Sequence, residues 1–353
     1  MLVARHRPVA RQCAQSEEAF PVVSVTGSQA TGRSFRLAAI DVARGIAILA
    51  MVVYHLAWDL SANSLIAVDV STDVGWKIFA RLIAGTFLAL VGFNLVLASR
   101  NGFRAGPYLR RLAVIVAAAA VVSAGTYWFQ PDSFVFFGIL HAIALTSILA
   151  LPFLRAPVWL TLVVAVFFLA GPHVLASPIF NSYWWYWLGL ATDPPITVDF
   201  VPIFPWFGVV LAGVAAGRFV LAHLDWPLWH WRGEGAVARF LALAGRWSLA
   251  IYLIHQPILI GILMVAAPLI GPSEAALAAQ LRAEYDASCA LAGYEQGACD
   301  AYSRCIVTAL SAEEGILVSA GQRQLSEAQL DRWQVILAEC RAKHLPPDVS
   351  EGV

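Results

Sequence analysis

The sequence predicts an all-α, polytopic membrane protein. It should form a bundle of about seven transmembrane helices, eight if an aromatic segment re-enters, followed by a small helical module with disulfides. Three observations carry this expectation. Of 353 residues, 59% are apolar and only 13% charged, with a mean hydropathy of +0.70; a soluble domain carries roughly 25% charged residues. Apolar runs of about 20 residues, the length that crosses a bilayer, recur along the chain. Four of the five cysteines lie beyond the last such run. Lys plus Arg balance Asp plus Glu at 23 each, which argues against nucleic acid as a partner, since that binding needs excess positive charge.

Residues 1–35 are polar, with Arg5, Arg7, Arg11 and Arg33, and Arg36 at the edge. No apolar run follows them closely enough for a cleaved signal peptide, so they read as a flexible basic leader. Seven candidate spans follow: 37–60, 77–98, 111–129, 133–154, 158–176, 201–222 and 247–270. Together residues 36–272 form the expected bundle. The stretch "SPIFNSYWWYWLGLATDPPITVDF" between the fifth and sixth spans is rich in Trp and Tyr. That is the composition of an interfacial belt or a short re-entrant segment.

Basic residues alternate between loops. The leader, the 99–111 loop (Arg100, Arg104, Arg110, Arg111), the turn at Arg155 and the 223–246 loop are rich in arginine; the intervening loops are poor in it. The positive-inside rule then places the N-terminus in the cytoplasm and, after seven spans, the C-terminus outside. The tail, residues 273–353, holds Cys289, Cys299, Cys305 and Cys340. Disulfides belong in an oxidising compartment, which agrees with that orientation. Four cysteines allow three pairings, and the sequence alone does not choose. Their spacing fits no zinc-ligand pattern, and no metal is expected.

The first span carries a polar stripe. With Asp41 at zero on a wheel of 100° per residue, Arg44 falls near 300°, His55 near 320° and Asp59 back near 0°, over about 27 Å of helix. Ionisable groups in lipid are costly and face a cavity or a partner. Asp59, one turn beyond His55, is expected to orient its imidazole and leave the other nitrogen as a base. Other candidates are His141 in "FFGILHAIAL", Asp199 and Trp206 at the entry to span six, and Tyr252 and His255 in span seven, where Pro257 follows. Each has a plainer reading. His255 can be a hydrogen-bonded packing residue, Lys77 and Arg81 can snorkel to the interface, and Gly213 and Gly217 form a close-packing surface.

The motifs "RLAAIDVARGIAILAMVVYHLAWDL", "GTFLALVGFNLVLA", "FFGILHAIAL", "DFVPIFPWFGVVLAGVAAGR" and "GRWSLAIYLIHQPIL" follow one another over residues 36–260. In that order they resemble the bacterial DUF1624 family, which belongs with the catalytic domain of heparan-α-glucosaminide N-acetyltransferase among the transmembrane acyltransferases. The resemblance implies a bundle that takes acetyl-CoA from the cytoplasm and acetylates an acceptor on the far side, an amine or hydroxyl of a glycan or sugar. It implies His55 as the general base, with caution over alignment because residues 61–76 contain no His. It also makes a homodimer reasonable. Arg44, with Asp41 beside it, and Arg111, Arg218 and Arg246 at the same rim are the candidates for holding the CoA phosphates. His141 is a candidate oxyanion donor or proton carrier. Asp199, Trp206, Tyr252 and His255 are acceptor-side candidates. Two rival readings are a transporter or flippase for a small polar solute or lipid-linked sugar, since polar stripes also line pathways, and a scaffold whose tail recruits a partner.

Overall fold

The computed structural model describes residues 37–224, 231, 233–313, 315–321 and 324–345; the basic leader lies outside them. The described residues form twelve α-helices: α1 Ala38–Ala62, α2 Val74–Ser99, α3 Ala105–Phe129, α4 Ile139–Leu149, α5 Val158–Val174, α6 Ile203–Ala222, α7 Ala236–Arg246, α8 Ser248–Ile270, α9 Glu274–Leu291, α10 Gln296–Ala312, α11 Ile316–Gly321 and α12 Glu327–His344. Five of these, α1, α2, α3, α6 and α8, are long and apolar enough to cross a membrane. Their outward faces stay apolar: Val121 and Trp128 on α3, and Ile262, Met264 and Leu269 on α8, are exposed. Such faces are stable against lipid and costly against water.

The main core joins α2, α4, α5 and α6 through Leu88, Val91, Leu95, Ala142, Ala165, Phe207, Val210 and Val214. Glycine lets α2 and α6 touch backbone to backbone. A Cβ on Gly92 would lie 2.0 Å from the Val210 carbonyl oxygen, and one on Gly213 2.0 Å from that of Ala89. Small residues permit this approach where no hydrophobic effect drives helices together. A second cluster joins α1, α2, α7 and α8 through Ile48, Met51, Ile83 and Ala244. A third joins α3, α4 and α8 through Ala118, Ala119, Leu140 and Leu253.

Two expectations needed correction. The span at 133–154 is a helix of only 11 residues, with short 3-10 turns at 131–133 and 152–154. The irregular backbone before α4 finds its partners in the loop before α6: Val198 N–H donates to the Ser133 carbonyl at 3.0 Å, and Val201 N–H to that of Phe137 at 3.1 Å. Non-helical backbone is tolerated within a bundle when protein satisfies it in this way. The arginine-bearing loop 223–246 is partly helical. Its end forms α7, strongly amphipathic, which lies against the start of α1, where a Cβ on Gly245 would sit 2.0 Å from the Asp41 carbonyl oxygen. The aromatic stretch 177–200 forms two 3-10 turns, at 178–180 and 186–188, and leaves Tyr183, Trp184 and Trp185 exposed.

After α8 the chain builds a small helical module with its own core of Ile306, Leu310, Ile316, Leu317 and Ile336. Its two disulfides pair Cys289 with Cys299 and Cys305 with Cys340. The module is anchored to the turn after α1. Ser273 N–H donates to the Ser64 carbonyl at 2.9 Å, the Ser64 hydroxyl donates to Gln280 Oε1 at 2.8 Å, and Gln280 Nε2 donates to the Ser61 carbonyl at 3.3 Å.

Candidate functional site

Near its C-terminal end α1 meets α8 in two polar rungs. In one, the rings of His55 and His255 lie 5.0 Å apart, centroid to centroid, at 59°. In the other, Gln256 Nε2 donates to both carboxylate oxygens of Asp59, at 2.9 and 3.1 Å. One helix supplies positions i and i+4 and the other supplies adjacent residues, so both pairs form where the helices approach. Asp59 is buried at 5% exposure, and its carboxylate is hydrogen-bonded as burial requires. The helix stops just beyond, where Asn63 donates to the Asp59 carbonyl through both its backbone N–H (3.1 Å) and its side chain (2.8 Å).

This corrects one expectation. Asp59 does not orient His55: its carboxylate is taken by Gln256, and His55 makes no hydrogen bond among the described residues. The oriented imidazole is that of His255. Its Nδ1 lies 2.7 Å from the backbone carbonyl of Tyr252, which makes Nδ1 the donor and leaves Nε2 with a lone pair. His255 is 8% exposed, and its Nε2 is buried without a partner. Gln256 Oε1 is likewise buried without a partner. Both orphaned atoms are acceptors.

A second network supports the first from α4. The Asp199 carboxylate accepts from the Ile139 N–H at 2.9 Å, at the N-terminus of α4, and from the Tyr252 hydroxyl. Burial raises the Asp199 carboxyl above its ordinary value, partly offset by the Ile139 N–H and the Tyr252 hydroxyl, which favour its charged form. The position before α4 must be Gly138, because a Cβ there would lie 2.2 Å from Asp199 Oδ2. Tyr252 therefore joins both networks: its hydroxyl reaches Asp199 and its carbonyl fixes His255. His141 has both ring nitrogens engaged, Nδ1 with the Gly138 N–H and Nε2 with the Ser123 hydroxyl, each at 3.3 Å. In this state it caps the start of α4. Trp206 packs at the α2–α6 interface, 3.7 Å from where a Cβ on Gly85 would stand.

At the other end of α1, Arg44 pairs with Asp41 at 3.4 Å and lies close enough to Arg111 for their charges to interact. Arg246, at the end of α7, sits beside this pair through the Gly245–Asp41 contact and spends its Nε on the Ala242 carbonyl at 3.3 Å. Arg218 is elsewhere. It donates to the Ala156 carbonyl and lines a different cavity, with Arg100 and Arg155.

A family model described as heparan-alpha-glucosaminide N-acetyltransferase, catalytic, matches residues 36–257. The chain belongs to this family. The match covers well over half the sequence and spans both rungs, from Asp41 and Arg44 to His255 and Gln256. Searches of the curated proteins and of the solved structures find no match. The family is one of membrane acetyltransferases, so the transporter reading is not carried further. The cysteine module lies outside the matched region.

The family's motifs gave His255 in the sequence but not its neighbour. Gln256 was visible as an amide within an apolar run, "YLIHQPIL", and that signal was available. Its partner, 197 residues earlier, was not.

Proposed function

We propose that this protein moves an acetyl group from acetyl-CoA, held at the Arg44 end of α1, to an amine of an extracytoplasmic sugar or glycan at the His55 end. The observation that carries this reading is the double rung, His55–His255 and Asp59–Gln256, with two buried acceptors that have no partner. Once the His55 N–H fills His255 Nε2, Gln256 Oε1 remains as a bare acceptor for a substrate donor, next to the Asp59 carboxylate. An amine brings two or three N–H groups and, when protonated, a charge to match Asp59, whereas a hydroxyl brings one O–H. An amide product is therefore favoured over an ester.

In this reading His55, the less buried imidazole, takes a proton from the amine as its nitrogen attacks the acetyl carbonyl. The new C–N bond forms, the C–S bond breaks, and the CoA thiolate leaves and recovers a proton. His255 acts through His55: its bare Nε2 accepts from the His55 N–H and sets which nitrogen of His55 faces the substrate. The step needs no change in the partner of Asp59. Arg44, Arg111 and Arg246 would hold the phosphates of CoA, since planar guanidinium groups suit phosphate geometry. Arg44 and His55 are 11 residues apart, about 16 Å along the helix, comparable with the reach of a pantetheine arm.

Orientation rests on two independent supports. Arginine alternation assigns the Arg44 end to the cytoplasm. The disulfide module, which needs an oxidising compartment, is anchored at Ser61 and Ser64, beside the His55 end. Purified protein should release CoA thiol from acetyl-CoA when given glucosamine and do so far less with the matching sugar that bears a hydroxyl in place of the amine. Equal turnover of both would overturn the amine assignment, and full turnover by His55→Ala would overturn the base.

A further inference from the structure

His55 has two unlike flanks. Around α1, Asp59 falls about 40° from His55 in one sense and Tyr54 about 100° in the other. The Asp59 side carries the polar partners from α8, His255 at 5.0 Å and Gln256 one turn along. The Tyr54 side carries rings. Tyr54 meets the His55 ring edge-on, at 5.6 Å and 79°. Trp76, in the first turn of α2, lies 6.2 Å beyond Tyr54 at 52°, and Phe79 packs on Trp76 at 5.8 Å and 75°. The proposed reaction uses the polar flank and gives the aromatic one no role.

Trp76 is not placed like a membrane anchor. Anchors stand out into the headgroup region, as Trp128 (82% exposed) and Trp184 (80%) do, whereas Trp76 is partly buried. Its backbone is fixed from both sides. The Trp76 N–H donates to the Asp73 carboxylate at 3.0 Å, which caps α2. Earlier in the same loop Val70 is fully buried, and its N–H donates to the Ser61 hydroxyl at 3.4 Å. Ser61 is also where Gln280 ties the disulfide module to α1. The loop that sets Trp76 is therefore held at the end of the helix that carries His55.

An amino sugar has the matching two halves. Its amine and hydroxyls are polar, and the faces of its ring are rows of C–H groups. Aromatic faces are electron-rich and attract the slightly positive C–H groups, while both surfaces leave water. We propose that Trp76, with Tyr54, is the platform on which the ring of the acceptor lies, so that Trp76 selects a cyclic amino sugar over an open-chain amine. The proposal rests on the acetyl-transfer reading for the placement of the amine beside His55.

The test reads binding apart from turnover. Methyl β-glucosaminide is titrated into the full-length protein in neutral detergent, and saturation-transfer NMR records which sugar protons lie against the protein. In wild type the protons of one ring face should receive the most saturation. Trp76→Leu keeps apolar volume without an aromatic face, so Kd should rise about tenfold and the face preference should vanish. Trp76→Phe should keep the preference with Kd within about threefold of wild type. Trp184→Ala should bind as wild type does. In the transfer assay, Trp76→Leu should lower kcat/KM for the glucosaminide relative to ethanolamine by the same factor. An unchanged Kd and face preference in Trp76→Leu overturns the proposal, as does a loss shared equally by the glucosaminide and ethanolamine, or no binding by wild type. The expected binding pattern without acetyl transfer to either amine would overturn the acetyl-transfer reading and leave the platform in place.

Discussion

Replacing His255 with glutamine tests the proposed catalytic pair most directly. Glutamine fills similar space and keeps a polar end, so the buried position (8% exposed) suffers little from a cavity. What it loses is a tautomer fixed by the Tyr252 carbonyl at 2.7 Å and the bare ring nitrogen beside His55. A positioned general base contributes about 10²–10⁴ in rate. An unoriented His55 should lose much of that, so kcat should fall by about 10²–10³, or 3–4 kcal/mol in the barrier. The KM for acetyl-CoA should change little, because Arg44, which would hold CoA, lies about 16 Å away along α1.

The assay is transfer of labelled acetyl from acetyl-CoA to glucosamine by protein in proteoliposomes, over a range of pH. An orienting partner changes the pH profile of kcat, which a purely structural residue would not. Residues that act as a unit are also strongly non-additive. His55→Ala combined with His255→Gln should therefore be scarcely slower than His55→Ala alone. A kcat within about threefold of wild type, against the 10² or more expected of a lost base, would refute the pairing. So would losses that simply multiply in the double variant.

Gln256→Leu should destabilise the protein by about 3 kcal/mol, the upper range for a hydrogen bond to a charged group, because Asp59 then stays buried without its amide donors; adding Asp59→Leu should recover much of the lost midpoint in detergent unfolding. Gly245→Leu forces a side chain against the Asp41 carbonyl, 2.0 Å from the Cβ position; pushing α7 off α1 should raise the KM for acetyl-CoA several-fold with less effect on kcat, read in the same transfer assay. Cys305→Ser with Cys340→Ser opens a loop of 35 residues, which by chain entropy is worth about 4 kcal/mol, and limited proteolysis should then cut residues 274–344 well before the bundle. Arg282, first, and Arg304 hold the Asp300 carboxyl below its ordinary value. Their contribution is in place above the unfolded carboxylate range, about pH 4, and is lost as pH falls through the lowered value, so Asp300→Asn should flatten the acid dependence of that proteolysis.

Helix type and order were legible because hydropathy and length report the solvent on each face. Disulfide pairing was open in the sequence and became 289–299 and 305–340 only when α9, α10 and α12 packed. The span at 133–154 was misjudged because an apolar run does not reveal where its backbone bonds go. Here a strand-like stretch some 60 residues later, at Thr197–Val201, supplies them. The wheel that aligned His55 with Asp59 was correct as geometry and misleading as chemistry. It compares residues of one helix, whereas the bond that decides the role of Asp59 comes from α8. Arg218 was misgrouped for the same reason: counting charges by loop assigns an end of the bundle but not a face of the helix.

The remaining question is why one helix should carry both ends of the proposed route. In α1 each end is fixed by a different element. Gly45 and Gly245 let α7 lie directly on the Arg44 end, with the Leu241 carbonyl oxygen 1.9 Å from a Gly45 Cβ position. Ser61 and Ser64 tie the other end to Gln280 of the disulfide module. Between these anchors the helix is a ruler, and the separation of Arg44 from His55 is set by backbone hydrogen bonds rather than by loop conformation. Proximity accelerates a reaction only when both reactants are held at a fixed distance. A route built on two separate helices would depend on their relative sliding. A route built on one depends only on that helix remaining intact, and the disulfide module, which lies beyond the region shared with the family, adds a second anchor where the acceptor would bind.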